Sequence, residues 1–213
     1  VIFHSGTNIC LENESYINIE NSNIDIRGTY KNPVKIMGCD SNQEDKNSGS
    51  LIFQNSNIQI SNLNLSNLNA PKKYLRILYG GANFIESEIT IDNLKVISSR
   101  SEDAINIIDS KLKANNLEFI DSKSDALDSD FSNLIINRVK CSNVRNDCVD
   151  FSFSLASINQ IESFFTGDKS ISLGEASTLK AENVKLNFGE IGIVSKDNSN
   201  LQIKNYEYSN IKL

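Results

Sequence analysis

Asp103-Ala-Ile-Asn-Ile107 returns 22 residues later as Asp125-Ala-Leu-Asp-Ser129, and again as Asp147-Cys-Val-Asp-Phe151. The series continues through Lys169-Ser-Ile-Ser-Leu173 and Ile191-Gly-Ile-Val-Ser195, so Ile105, Leu127, Val149, Ile171 and Ile193 stand at equal spacing. A self-similar period of this size marks a solenoid, whose units bury their apolar sides only by stacking on neighbours. Within each segment the residues alternate. Ile105/Ile107, Val149/Phe151 and Ile171/Leu173 fall on one side, with Asn106, Asp128, Asp150 and Ser172 on the other. That pattern predicts one short strand per coil, its first side in the core and its second in solvent.

A second register runs through Asn62-Leu63, Asn93-Leu94, Asn116-Leu117, Asn183-Val184 and Asn205-Tyr206, with Arg138-Val139 and Gln160-Ile161 in the same slot. Asn repeated at one corner is expected to form an amide ladder and to accept the left-handed backbone of a sharp turn. Two prolines, abundant Asn, Ser and Asp, and no helical period leave no room for the helices that βα units need. The predicted fold is therefore all-β: a single parallel β-helix over residues 1–213, with about 22 residues per coil. At about 4.8 Å per coil, roughly nine or ten coils make a rod about 45 Å long. Two stretches interrupt the pattern, near 40–50 and 69–81, and are expected to project as loops. The second carries Lys72, Lys73, Tyr74, Arg76 and Tyr79, a cation and aromatic mixture suited to acidic sugars, while its Leu75, Ile77 and Leu78 would otherwise cover core.

Ser101-Glu-Asp-Ala, Ser124-Asp-Ala-Leu-Asp-Ser-Asp-Phe131, Asn146-Asp-Cys-Val-Asp150, Gly167-Asp-Lys-Ser-Ile-Ser-Leu-Gly-Glu175 and Gly192-Ile-Val-Ser-Lys-Asp197 resemble rungs of bacterial β-helix repeat proteins in the pectate-lyase-like superfamily. The resemblance covers nearly the whole chain. It implies the right-handed fold, but that superfamily holds lyases, hydrolases, esterases, epimerases and non-catalytic adhesins, so it constrains chemistry weakly. The Asn-Thr-Asp, Gly-His-Gly and Arg-Ile-Lys elements of polygalacturonases and the Arg-x-Pro-x-x-Arg element of pectate lyases do not occur.

A net charge of −6 disfavours nucleic acid and anionic membranes as partners. No apolar run approaches the roughly 18 residues of a membrane span. The chain opens at Val1 without a leader, which predicts that a signal or further domains preceded it and that it belongs to a larger secreted or cell-envelope protein. Its last coil lacks a capping helix, so the open ends are expected to pair with a protein partner or further domains. Cys10, Cys39, Cys141 and Cys148 are too irregular for a disulfide scaffold or a zinc site. Cys10 and Cys39 meet if the intervening residues form one enlarged coil, and Cys148 reads as a small packing residue. The only His, His4, lies far from the central coils, and no serine-hydrolase or phosphate-binding motif occurs.

The strongest chemical signal is an array of acids set by the repeat. Asp103, Asp125 and Asp147 form one column and Asp128 and Asp150 another beside Asn106, with Asp130 on the same outward side. Two full charges at about 4.8 Å repel by roughly 3 kcal/mol at an effective dielectric of about 20, so the array should raise pKa values, recruit cations or lean on basic neighbours. Arg100, Lys123, Arg145 and Lys169 are the nearest in sequence. Between the acid columns runs a set of small residues, Ala104, Ala126, Cys148, Ser170 and Gly192, expected to form a shallow floor. Asp125, Asp128, Asp130 and Asp150 are the candidate ligands of a calcium ion. The alternative is that these acids only cap turns.

The expected function is a surface module that binds carbohydrate, including acidic polysaccharide, through Asp103, Asn106, Asp125 and Asp147, with Lys73, Arg76 and Tyr79 contributing from the loop. The catalytic alternatives are a glycoside hydrolase using Asp128 and Asp150 as acid and base, or a calcium-dependent lyase or epimerase with Arg100, Lys123 or Arg145 as base. A purely structural or protein-binding rod is the third.

Overall fold

The computed structural model describes residues 1–12, 14–39, 49–72 and 74–212. The expected loop near 40–50 therefore lies almost wholly outside the described residues, as does Lys73. The described residues form a parallel β-solenoid of about 9 turns, and no helix occurs among them. Each turn has three faces. Face A includes Ser50–Gln54, Gly80–Ile85, Asp103–Ile108, Asp125–Asp130 and Val149–Ser152. Faces B and C are the two halves of longer strands bent at a corner, such as Asn57–Ser66, Glu88–Ile97, Lys111–Ser122 and Asn133–Val144.

The predicted registers hold. Ile105 pairs with Leu127, Leu127 with Val149, Val149 with Ile171 and Ile171 with Ile193, all parallel. On face C, Asn62, Asn93, Asn116, Arg138, Gln160, Asn183 and Asn205 pair in succession. Inward Leu, Ile and Val fill a continuous core along the rod, with Phe53, Phe84, Phe119 and Phe151 fully buried within it.

The corners differ from the expectation. Left-handed backbone falls in two other columns. One runs through Asn55, Glu86, Asp109, Phe131 and Phe153, and the other through Asn67, Ser98, Asp121, Asn143, Phe165 and Phe188. After each corner of the first column comes a serine, and these serines form a ladder inside the rod. The Ser56 Oγ accepts the Ser22 amide 34 residues earlier in the chain. Ser87 then accepts from Ser56 across 31 residues, Ser110 from Ser87 across 23, Ser132 from Ser110 across 22 and Ser154 from Ser132 across 22. Each hydroxyl also donates to the carbonyl two residues before it, as Ser132 does to Asp130 at 2.8 Å. The ladder satisfies buried backbone groups where the chain turns and no β-pairing reaches them.

The amide ladder is present one residue earlier than expected. Asn115 donates to Asp92, Asn137 to Asn115 and Asn159 to Asn137, at 3.1, 3.0 and 3.0 Å. In the predicted column only Asn205 and Asn183 bond side chain to side chain between coils. The bend between faces B and C turns two successive residues outward, so the sequence pattern does not tell which of them meets its neighbour.

Both cysteine pairs are bonded, Cys10 to Cys39 and Cys141 to Cys148. The first is the enlarged-coil pairing allowed by the sequence. In the second, Cys148 packs in the core as expected and is also bonded: the turn between faces C and A brings it within 5.8 Å of Cys141, Cα to Cα. The column of small residues is corrected. Ala104, Ala126 and Cys148 belong to the core, because the chain enters face A from the corner with these side chains pointing inward. A small residue is required for another reason at Gly167, which occupies the slot of Arg145: a Cβ there would meet the Arg145 carbonyl at 2.0 Å.

Candidate functional site

Face A carries the acids, and its outer side is only half open. Asn83, Asn106 and Ser172 are 0, 2 and 3% exposed, whereas the alternation pattern placed Asn106 and Ser172 in solvent. Tyr74 and Leu78 of the second interrupting stretch lie against the outer side of the first coils. Leu78 packs on the outward Ile52 and Ile85 in a cluster apart from the main core. Tyr74 leans edge-on against Tyr16, ring centroids 5.6 Å apart, and donates to Gln54 at 3.3 Å. Leu75 and Ile77, expected to cover core, stay exposed, as do Arg76 and Tyr79.

At the next coils the acids separate into two groups. Asp125 accepts the Asp147 amide and the Asn146 side chain, both at 2.7 Å. Asp147 accepts the Lys169 amide at 2.8 Å and the Lys169 ammonium at 3.3 Å. Lys169 also pairs with Asp168. These two carboxylates cap the turn of the following coil. Burial still pushes Asp125 up to about 6 against the pull of its backbone donor, and burial raises Asp147 despite Lys169.

Asp103 breaks this pattern and faces Asp128 through Asn106. The Asn106 Nδ2 donates to Asp103 at 2.8 Å and to Asp128 at 2.7 Å, while its Oδ1 is buried without a hydrogen-bond partner. Burial is the main cause that raises Asp103 to about 7; its bond from Asn106 opposes, and Asp125 adds repulsion. Asp128 is raised to about 9, by burial first and then by Asp103 and Asp130. Both shifts favour the protonated carboxyl. Asp130, also raised by burial and by Asp150 and Glu175, continues the strip, and Asp128 pairs in register with Asp150.

The basic candidates lie on the corner before face A. Lys123 and Arg145 are exposed and make no side-chain hydrogen bond or ion pair among the described residues. Arg100 is half-buried and has a partner. The cation that does engage the acids is Lys169. Among the described residues no group of three or more His, Cys, Asp or Glu side chains is gathered around a common point as a metal ion requires. His4 lies exposed in the first strand, Ile2–His4.

The sequence reading missed the aromatic residues. Phe131 and Phe153 follow directly on the outward Asp130 and Ser152, 58 and 51% exposed, with rings stacked 4.8 Å apart. Phe164, Phe165 and Phe188 form a second exposed cluster on the opposite corner of face A. Four of these sit at left-handed corners, φ 53, 52, 59 and 55° for Phe131, Phe153, Phe165 and Phe188. That backbone is costly for a bulky residue, and exposure of the ring adds to the cost. The signal was available: Phe131 and Phe153 repeat at the same 22-residue interval as the acids.

The resulting surface joins hydrogen-bonding carboxyls to exposed aromatic rings. Among the described residues the cation seen to engage these acids is Lys169, paired with Asp147 and Asp168. Comparison with protein-family models, with curated proteins and with solved structures returns no match.

Proposed function

We propose that the protein is a secreted or cell-envelope β-solenoid of the pectate-lyase-like kind that binds carbohydrate on face A, around Asp128, Asp130 and the Phe131/Phe153 pair. The observation that carries this reading is a pair of buried carboxyls bridged by Asn106 beside exposed aromatic side chains. Sugars offer hydroxyls, which need donors and acceptors together, and C–H patches, which rest on aromatic groups. A carboxyl held protonated supplies both hydrogen-bonding roles without charge. Two disulfides fit an oxidising compartment.

This reading shifts the preferred ligand of face A from acidic to neutral sugars. A strip of aspartates, neutral or ionised, offers no cation to a uronate. The hydrolase alternative keeps one supporting observation, the register neighbours Asp128 and Asp150. Binding is favoured over catalysis because the exposed Phe131/Phe153 pair beside the acids suits holding a sugar. For the lyase alternative, the cation that meets the acids is Lys169, whose ammonium is already paired with Asp147 and Asp168.

A panel of neutral and acidic oligosaccharides titrated by calorimetry tests the reading. Binding of a neutral glycan should disappear in Phe131→Ala/Phe153→Ala and survive in Asp128→Asn, whose amide mimics the protonated acid. Release of reducing ends would point to the hydrolase. Binding of uronate polymers only with added calcium would restore the cation site. Absence of binding across the panel would leave the structural rod.

A further inference from the structure

Face B carries an open trough of about 1110 Å³. One wall is the outward column Thr90, Lys113, Ile135, Ser157, Lys180 and Gln202, residues that pair coil upon coil. The other wall is the amide ladder of Asn115, Asn137 and Asn159, with Asp92 at one end and the Glu182–Lys204 ion pair at the other. Six stacked coils at about 4.8 Å per step give the trough a length of about 24 Å along the rod axis. An open channel of that shape takes an extended polymer in preference to a compact molecule.

Its chemistry narrows the polymer further. Asn115 and Asn137 each spend one N–H and one lone pair on their neighbours and Asn159 one N–H, which leaves a further donor and acceptor at every coil. The acids of the trough are engaged: Asp92 accepts from Asn93 and Asn115, and Glu182 pairs with Lys204 at 2.9 Å. Lys113 and Lys180 are exposed and have no partner among the described residues. They stand in one column, three coils apart, which is about 14 Å. A chain of net charge −6 thus presents in this trough two lysines without an ion-pair partner among the described residues. An extended polypeptide would need an open strand edge for its backbone, and face B offers only the side of a sheet whose backbone groups are already paired on both sides.

We propose that the face B trough binds a linear glycan carrying anionic groups, with Lys113 and Lys180 contacting those groups and the Asn115/Asn137/Asn159 ladder contacting hydroxyls. The proposal shares only the ligand class with the reading of face A and stands on separate residues. Carboxylate and sulfate groups meet the same requirement, so both are used as probes.

The test is binding of polygalacturonate, a heparin-type sulfated polymer and a neutral polymer to the parent chain, to Lys113→Glu/Lys180→Glu, to Asn137→Ala, and to Phe131→Ala/Phe153→Ala. The expected result is binding of at least one anionic polymer that weakens with salt. The Lys double variant should lose about tenfold or more in affinity, the combined effect of two charge contacts. Asn137→Ala should weaken binding with little change in salt dependence, and the Phe double variant should leave it intact. Preference for polygalacturonate identifies a uronate ligand, and preference for the heparin-type polymer a sulfated one. Anionic binding lost in the Phe variant but kept in the Lys variant overturns the trough while leaving face A as the carbohydrate site. Neutral binding with no anionic binding overturns it likewise, and so does binding indifferent to salt. All the substituted side chains are exposed, and circular dichroism checks that each variant is folded.

Discussion

Replacing Asp128 by Asn converts the buried acid pair into a test of its protonation. In the unfolded chain Asp128 ionises near the ordinary value of about 3.9. In the fold, burial and neighbouring acids raise it. The native state therefore holds the proton at pH values where the unfolded chain has released it, and stability falls as pH rises. The contribution is fully present below about pH 4 and is lost progressively as pH climbs through the raised folded value. Each pH unit inside that window is worth up to about 1.4 kcal/mol per group. From pH 5 to pH 8 the ceiling for Asp128 alone is about 4 kcal/mol, and half of it, about 2 kcal/mol, is the working expectation once solvent relaxation is allowed for. For a chain of this size that corresponds to a Tm shift of about 4–8 °C. Asp128→Asn keeps an acceptor for Asn106 Nδ2 and cannot ionise, so the variant should match the parent near pH 5 and exceed it at pH 8. Thermal unfolding by circular dichroism at the two pH values, with and without millimolar calcium, measures this. A variant destabilised equally at both pH values would refute the argument, because the ionised carboxylate would then be what the fold uses. A calcium-dependent rise of the parent's Tm that the variant lacks would show that a cation, rather than a proton, relieves the site.

Further outcomes follow from the interior. Ser132→Ala removes the acceptor of the buried Ser110 amide and should cost about 1–3 kcal/mol, read as a lower urea midpoint, whereas exposed Asn133→Ala should change it by under about 0.5 kcal/mol. Reduction should lower Tm through both disulfides. By loop-closure entropy, Cys10→Ser/Cys39→Ser should cost about 3–4 kcal/mol and Cys141→Ser/Cys148→Ser about 2–3 kcal/mol, so the reverse order in thermal unfolding would point to damage within the core.

The fold was legible because the inward residues repeat at an interval that the backbone must also obey. Ile105, Leu127 and Val149 can stack only if each coil has the same length, and so a list of sequence positions became a pairing register. The acid columns followed from the same arithmetic. What the spacing does not carry is the environment beyond the next coil. Asn106 is buried with Asp103 and Asp128 bonded to its amide, contacts that no alternation pattern encodes. Asp103, Asp125 and Asp147 look equivalent in sequence, yet two cap the following turn and one turns to Asn106. The serines were visible at every corner, but their value lies in burial, and polar residues near turns read first as exposed. The same bias hid Phe131 and Phe153, whose apolar rings suggested core rather than surface.

The serine ladder also makes one coil an interchangeable part. Lys111 donates its amide to the Ser87 carbonyl, and Asn133 donates to that of Ser110 in the same way. Excising residues 111–132 would set Asn133 where Lys111 now stands and return every later side chain to its own face, with Ser154 inheriting the place of Ser132. Removal of one residue more or fewer would swap inside for outside from that point onward. Rod length is thus free to change in whole coils while the corner chemistry stays the same, and a groove built on one column grows or shrinks in equal steps with it.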